Sequence, residues 1–162
     1  AQEHEMSNQI EGTFSHGGGR FAIVAARFNE FIVNRLVEGC ESGLRRHGVD
    51  TSANLDIVWV PGAYELPLAC KKVLENGSYD AVIALGAVIR GSTPHFDYVC
   101  SAVNSGIMTL NMDTGVPVIF GVITTDTIEQ AIERAGTKAG NKGFDAAMAA
   151  LEMSSLIAKL EG

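Results

Sequence analysis

Apolar residues are distributed along the chain in two alternating textures. Phe21–Ala26, Leu55–Val60, Ala81–Val88 and Val116–Thr124 are short runs that are apolar nearly throughout. Between them apolar residues recur every three or four positions. The first such stretch holds Ile32, Leu36, Val37, Cys40 and Leu44, and the second runs from Tyr64 to Asn76. The third carries Phe96, Val99, Cys100, Val103, Ile107 and Leu110, and two more follow over Thr127–Ala135 and Lys142–Leu160. Continuous apolar runs fit strands covered on both faces, whereas the wider spacing fits amphipathic helices. Gly48 and Gly77 stop the first two helices. Strand and helix alternating at about thirty residues per unit predict a parallel sheet with right-handed crossovers. The expected fold is α/β: a three-layer α/β/α sandwich around a central four-stranded parallel sheet, flavodoxin-like in type.

Residues 20–162 read as one domain. Residues 1–19 form a polar tail broken by Gly17-Gly18-Gly19, and Asn8–Phe14 within it can make a short strand. Lying beyond the glycines, that strand is suited to covering the sheet edge of a neighbouring subunit.

Composition narrows the partners. Of 162 residues, 46% are hydrophobic and 19% charged, the balance of a soluble globular domain. A net charge of -7 argues against nucleic acid or an anionic membrane as the main partner. An anionic substrate then needs a local cationic site among the twelve lysines and arginines. Cys40, Cys70 and Cys100 form no CxxC pair, and each falls among apolar neighbours on a predicted helix. Structural thiols in a reducing compartment are expected, hence a cytoplasmic location. The first twelve residues lack an apolar signal core, and no run reaches the length of a membrane span. No His, Cys and carboxylate cluster suggests a metal, and no dinucleotide fingerprint or P-loop follows the first strand.

Open α/β sheets bind ligands beyond the carboxyl ends of their strands. The first strand leads into Arg27-Phe28-Asn29, the second into Gly62-Ala63-Tyr64-Glu65, the third into Arg90–His95 and the fourth into Thr124-Thr125-Asp126. Thr93-Pro94 reads as an N-cap and first-position proline opening a helix. The amides of Gly91, Ser92 and Thr93 can then hold an anion, with His95 one step away and suited to proton transfer near neutrality. The alternative is an ordinary strand-to-helix turn with a solvent-facing histidine. Phe28 is either a stacking platform for a planar heterocycle or a staple onto the next helix. Glu65 is either an acceptor for hydroxyl groups or a carboxylate placed by the helix dipole. Arg134 can simply cap a helix end and Asn141 the start of the last helix. Lys142 at a helix start opposes the macrodipole, which gives a functional role more weight there.

Longer segments carry a resemblance. Arg27-Phe28-Asn29, Trp59-Val60-Pro61-Gly62-Ala63-Tyr64-Glu65-Leu66-Pro67 and Val88-Ile89-Arg90-Gly91-Ser92-Thr93-Pro94-His95-Phe96-Asp97-Tyr98-Val99 appear in order. Gly115–Val122 and Ile128–Gly143 follow. Together they resemble the 6,7-dimethyl-8-ribityllumazine synthase family over nearly everything after Gly19. The resemblance implies a transferase without cofactor or metal in riboflavin biosynthesis. It condenses 5-amino-6-(D-ribitylamino)uracil with 3,4-dihydroxy-2-butanone 4-phosphate. It implies that Phe28 stacks on the pyrimidine, Ala63 and Glu65 meet the ribityl chain, and Val88 and Ile89 offer backbone contacts. Gly91, Ser92 and Thr93 become the phosphate turn, Arg134 the arginine that pairs with phosphate, and His95 the proton-transfer residue. Phe120 and Lys142 match residues lent by an adjacent subunit. Ser92 departs from the family's pattern, a change that a backbone donor tolerates.

The implied partners are small-molecule substrates and other copies of the chain, as pentamers and a shell of twelve pentamers. Riboflavin synthase is a further candidate partner. Two other classes compete with the enzyme: a non-catalytic flavin- or lumazine-binding module, and a structural shell protein. A binding module could dispense with the phosphate turn or His95, and both are present.

Overall fold

All four apolar runs become strands of one parallel sheet in the computed structural model, which describes residues 7–15, 18–92, 94–137 and 140–162. The strands are β1 (Phe21–Ala26), β2 (Leu55–Val60), β3 (Ala81–Ile89) and β4 (Val118–Thr125), in the order β2-β1-β3-β4. The expected α/β/α architecture is what the chain adopts. The order reverses at β1, which has β2 on one side and β3 on the other. Between the carboxyl ends of β1 and β3 lies the crevice where doubly wound sheets bind ligands.

Successive side chains of a strand point to opposite faces, so each strand serves two cores. Ile23, Ala25, Ile83 and Leu85 pack under α1 (Glu30–Arg46), α5 (Ile128–Arg134) and α6 (Lys142–Glu161). Ala22, Val24, Val82 and Ala84 pack under α3 (Leu66–Asn76) and α4 (His95–Thr114). Helix α1 buries Ile32, Leu36, Val37, Cys40 and Leu44, the stripe its spacing predicts, and Val33 beside it. Each fully buried leucine of this kind contributes about 1.5–3 kcal/mol. Gly143 brings α6 against α1 so closely that a Cβ there would collide with the backbone carbonyl of Leu36. That approach seats the first turn of α6, and with it Lys142.

Several expectations change in detail. Helix α4 begins at His95 with Pro94 at the N-cap, one residue later than the sequence suggests, and Thr93 lies outside the described residues. A 3-10 turn, Ala63–Glu65, precedes α3. A one-turn helix, α2 (Thr51–Asn54), precedes β2; Asp50 caps it by accepting from the Ser52 amide. The connector after α5 is an antiparallel hairpin rather than a loop, with β5 (Ala135–Thr137) paired to β6 (Gly140–Asn141). Gly136 at φ 131° and Gly140 at φ 85° supply the left-handed backbone that this tight reversal needs. Residues 7–15 contain no strand; Thr13 N–H donates to Ser155 Oγ at 2.7 Å and Lys159 Nζ to Glu11 O at 2.6 Å, laying the segment on α6. Among the described residues, no helix is long and apolar enough to cross a membrane.

Candidate active site

The backbone at Phe28 is held from two sides although the residue is 71% exposed. Its amide donates to Pro61 O at 3.0 Å, continuing the β1–β2 pairing past the strand ends. The next residue, Asn29, takes φ 65°, the one positive φ outside glycine among the described residues. Asparagine tolerates this region because its short polar side chain finds local partners. Here Asn29 Nδ2 reaches Ala87 O at 2.8 Å instead of capping α1. The backbone that carries the aromatic ring is thus tied to the ends of both β2 and β3.

Around it opens a cavity of about 550 Å³ at the β1–β3 crevice. Phe28, Ala63, Glu65, Val88, Ile89, Gly91 and His95 all line it, with Asn29, Tyr64, Phe96 and Val99 among the remaining walls. Four separate segments of the chain converge there. Ala63 is buried beneath the 3-10 turn, which leaves Glu65 exposed at its end. Ser92 continues the exposed turn after Gly91 without lining the wall. Among the described residues the walls include one carboxylate, one imidazole and several apolar surfaces, but neither lysine nor arginine.

Both cationic candidates lie elsewhere. A second cavity, about 560 Å³, runs along the outer edge of β4 against the start of α6. Phe120, Arg134 and Lys142 line it together. Arg134 Nη1 donates to Thr124 O at 3.1 Å, and Thr124 pairs in register with Val88 across the sheet. Lys142 Nζ stands 3.7 Å from Asp145 Oδ2. The hairpin and α6 are fixed here by Asn141, whose Oδ1 accepts from the Phe144 amide at 3.0 Å while Nδ2 donates to Ala135 O. The sequence reading of Asn141 as a cap is therefore met, with a tertiary contact added.

One chain consequently divides the candidates into two sets. Seven of the candidates line the crevice, and Phe120, Arg134 and Lys142 line the cavity at the β4 edge. Arg134 does not line the cavity that holds Gly91 and His95. Sequence reasoning noted Asn29 only as part of a motif and passed over Asp145. The signal for Asn29 was a residue type that favours left-handed turns.

Three thiols sit in the helices as expected, Cys40 and Cys70 buried and Cys100 half-buried. Burial pushes the Cys70 thiol up to about 12 and Cys40 higher still, which suits structural rather than nucleophilic cysteines. Among the described residues no three His, Cys, Asp or Glu side chains gather in a metal-binding group.

The local sequence at both cavities, the doubly wound sheet and the crevice at its switch point agree with a comparison at the level of the whole chain. The family model for 6,7-dimethyl-8-ribityllumazine synthase matches residues 18–158, and the chain belongs to that family of transferases of riboflavin biosynthesis.

Proposed function

We propose that the protein condenses 5-amino-6-(D-ribitylamino)uracil with 3,4-dihydroxy-2-butanone 4-phosphate, and that each site is completed by a neighbouring copy of the chain. The observation that carries the second part is the division of charge. Among the described residues neither lysine nor arginine lines the crevice, while Arg134 and Lys142 lie together on another face. A phosphorylated substrate of an acidic protein calls for both surfaces. Bringing the β4 edge of one copy against the crevice of the next supplies them, and repetition of such a head-to-tail contact generates a ring.

In this reading Phe28 stacks on the pyrimidine and the backbone of Val88 and Ile89 fixes its edge. Ala63 and Glu65 meet the ribityl hydroxyls. The turn at Gly91, Ser92 and Thr93 accepts phosphate with the neighbour's Arg134, a charge-assisted pairing. Phe120 and Lys142 of the neighbour close the pyrimidine side. The 5-amino group attacks the ketone, and water leaves as the imine forms. Loss of a proton from the carbon next to the imine expels inorganic phosphate and leaves an enol. After tautomerisation to the ketone, the ribitylamino nitrogen closes the ring and a second water departs. His95 is placed to carry protons in these steps, for which positioning and modest acid–base help suffice.

The assembly is proposed as a pentamer, and the shell of twelve pentamers as its closed form. The short hairpin between α5 and α6 supports closure, because an insertion there would change the angle between those helices. Two buried thiols suit the reducing cytoplasm. Incubating the purified protein with both substrates tests the chemistry: lumazine and inorganic phosphate should appear in equal amounts. Binding of a pyrimidine analogue without turnover would favour the non-catalytic module. Light scattering tests the assembly, and a particle no larger than a decamer at neutral pH would exclude the shell.

A further inference from the structure

Arg90 occupies the middle of the strand-to-turn junction, yet its side chain lines neither cavity. Ile89 and Gly91 on either side both line the crevice. The guanidinium is engaged elsewhere. Nε donates to Asp126 Oδ1 at 2.9 Å, Nη2 stands 3.6 Å from Asp97 Oδ1, and Cζ lies 4.4 Å from the centre of the Phe96 ring. The backbone amide adds a bond to Thr125 O at 2.8 Å. These partners belong to two separate elements. Asp126 follows β4 and leads into α5, where its own amide is held by Gln130 Oε1 at 2.8 Å. Phe96 and Asp97 form the first turn of α4, immediately after His95.

We propose that Arg90 is a positioning residue: its guanidinium bridges the β4–α5 turn to the first turn of α4 and so fixes Gly91, Ser92 and His95 for the phosphorylated substrate. The proposal rests on the crevice being the condensation site. A planar fork can bond two carboxylates in different directions while lying flat on an aromatic ring; an ammonium cannot do all three. Charge alone is therefore not a substitute for the geometry.

The test compares Arg90→Gln, Arg90→Lys and Asp126→Asn with the unsubstituted protein, in steady-state condensation and in calorimetric titration with inorganic phosphate. Arg90→Gln is expected to raise KM for the phosphorylated substrate about tenfold and weaken inorganic phosphate by a similar factor, with KM for the pyrimidine changed less than about twofold. Arg90→Lys is expected to recover less than about half of the loss. Asp126→Asn should fall between, and adding it to Arg90→Gln should bring little further change, as for residues acting in one network. An unchanged KM for the phosphorylated substrate, an equal rise in both KM values, or full recovery by lysine would overturn the proposal. If thermal melting shows that Arg90→Gln does not fold, Asp126→Asn decides by the same phosphate readout. Failure of the unsubstituted protein to form lumazine would instead remove the functional reading, while phosphate titration still compares the variants.

Discussion

Asn29 Nδ2 donates to the carbonyl of Ala87 at 2.8 Å, across 58 positions of sequence, from a backbone at φ 65°. This bond joins the residue after Phe28 to the residue before Val88. The backbone at Phe28 and the end of β3 are thereby tied together. The bond also takes the side chain away from the helix capping that an asparagine in this position normally performs.

Replacing Asn29 separates two costs. Asn29→Ala loses a hydrogen bond and places a Cβ-bearing residue without a compensating partner in the left-handed region, a destabilisation of about 1–3 kcal/mol. Asn29→Gly loses the bond but relieves the backbone, so it should be the milder change. Urea unfolding of the three proteins checks this order. An alanine variant as stable as the parent would show that the Ala87 contact contributes nothing.

For Arg134→Ala, KM for the phosphorylated substrate is expected to rise by about ten- to a hundredfold, the range of a bond to a charged group worth about 1.5–3 kcal/mol. Affinity for a pyrimidine analogue should change little. Steady-state kinetics with each substrate varied in turn measures both. Equal losses for the two substrates would count against Arg134 as the phosphate partner.

Much of the sheet was legible because buried parallel strands announce themselves as uninterrupted apolar runs. Phe21–Ala26, buried throughout, matches β1 residue for residue; Leu55–Val60 likewise matches β2, although that edge strand is interrupted by Asp56 and buries only Val60. The fourth strand starts two residues later than Val116 suggests, since Pro117 has no amide to offer the ladder, although its carbonyl accepts from Val82. The hairpin of β5 and β6 has no apolar run to announce it: strands of three and two residues are set by the positive φ of Gly136 and Gly140. The bond from Asn29 to Ala87 is a long-range contact with no local signature. Nor can spacing reveal that Arg134 and Phe28 lie in different cavities, because that follows from β4 being a sheet edge and β1 an interior strand.

Alkaline pH should expose the buried thiols. In the folded protein Cys70 is raised by burial from 9.0 to about 12. The unfolded chain therefore loses this proton first, so the contribution to stability is intact below about pH 9 and lost as pH rises toward 12. Urea midpoints should accordingly fall between about pH 9 and 11 in the parent, and fall less steeply in Cys70→Ala, where Cys40 still contributes. Identical slopes for the two proteins would contradict this role for Cys70.

The central claim is a condensation site built from the crevice of one chain and the β4 edge of another. Subunit mixing tests it most directly. Phe28→Ala/Glu65→Gln cripples the crevice, and Arg134→Ala/Lys142→Ala cripples the edge. If each contact is head-to-tail, co-refolding the two inactive variants in equal amounts assembles intact crevices beside intact edges at about one contact in four, and lumazine formation should return to about a quarter of the parent rate. Co-refolding Phe28→Ala with Glu65→Gln, both on the crevice side, should give no such gain. A mixture of crevice and edge variants that stays as inactive as its components would contradict the shared site.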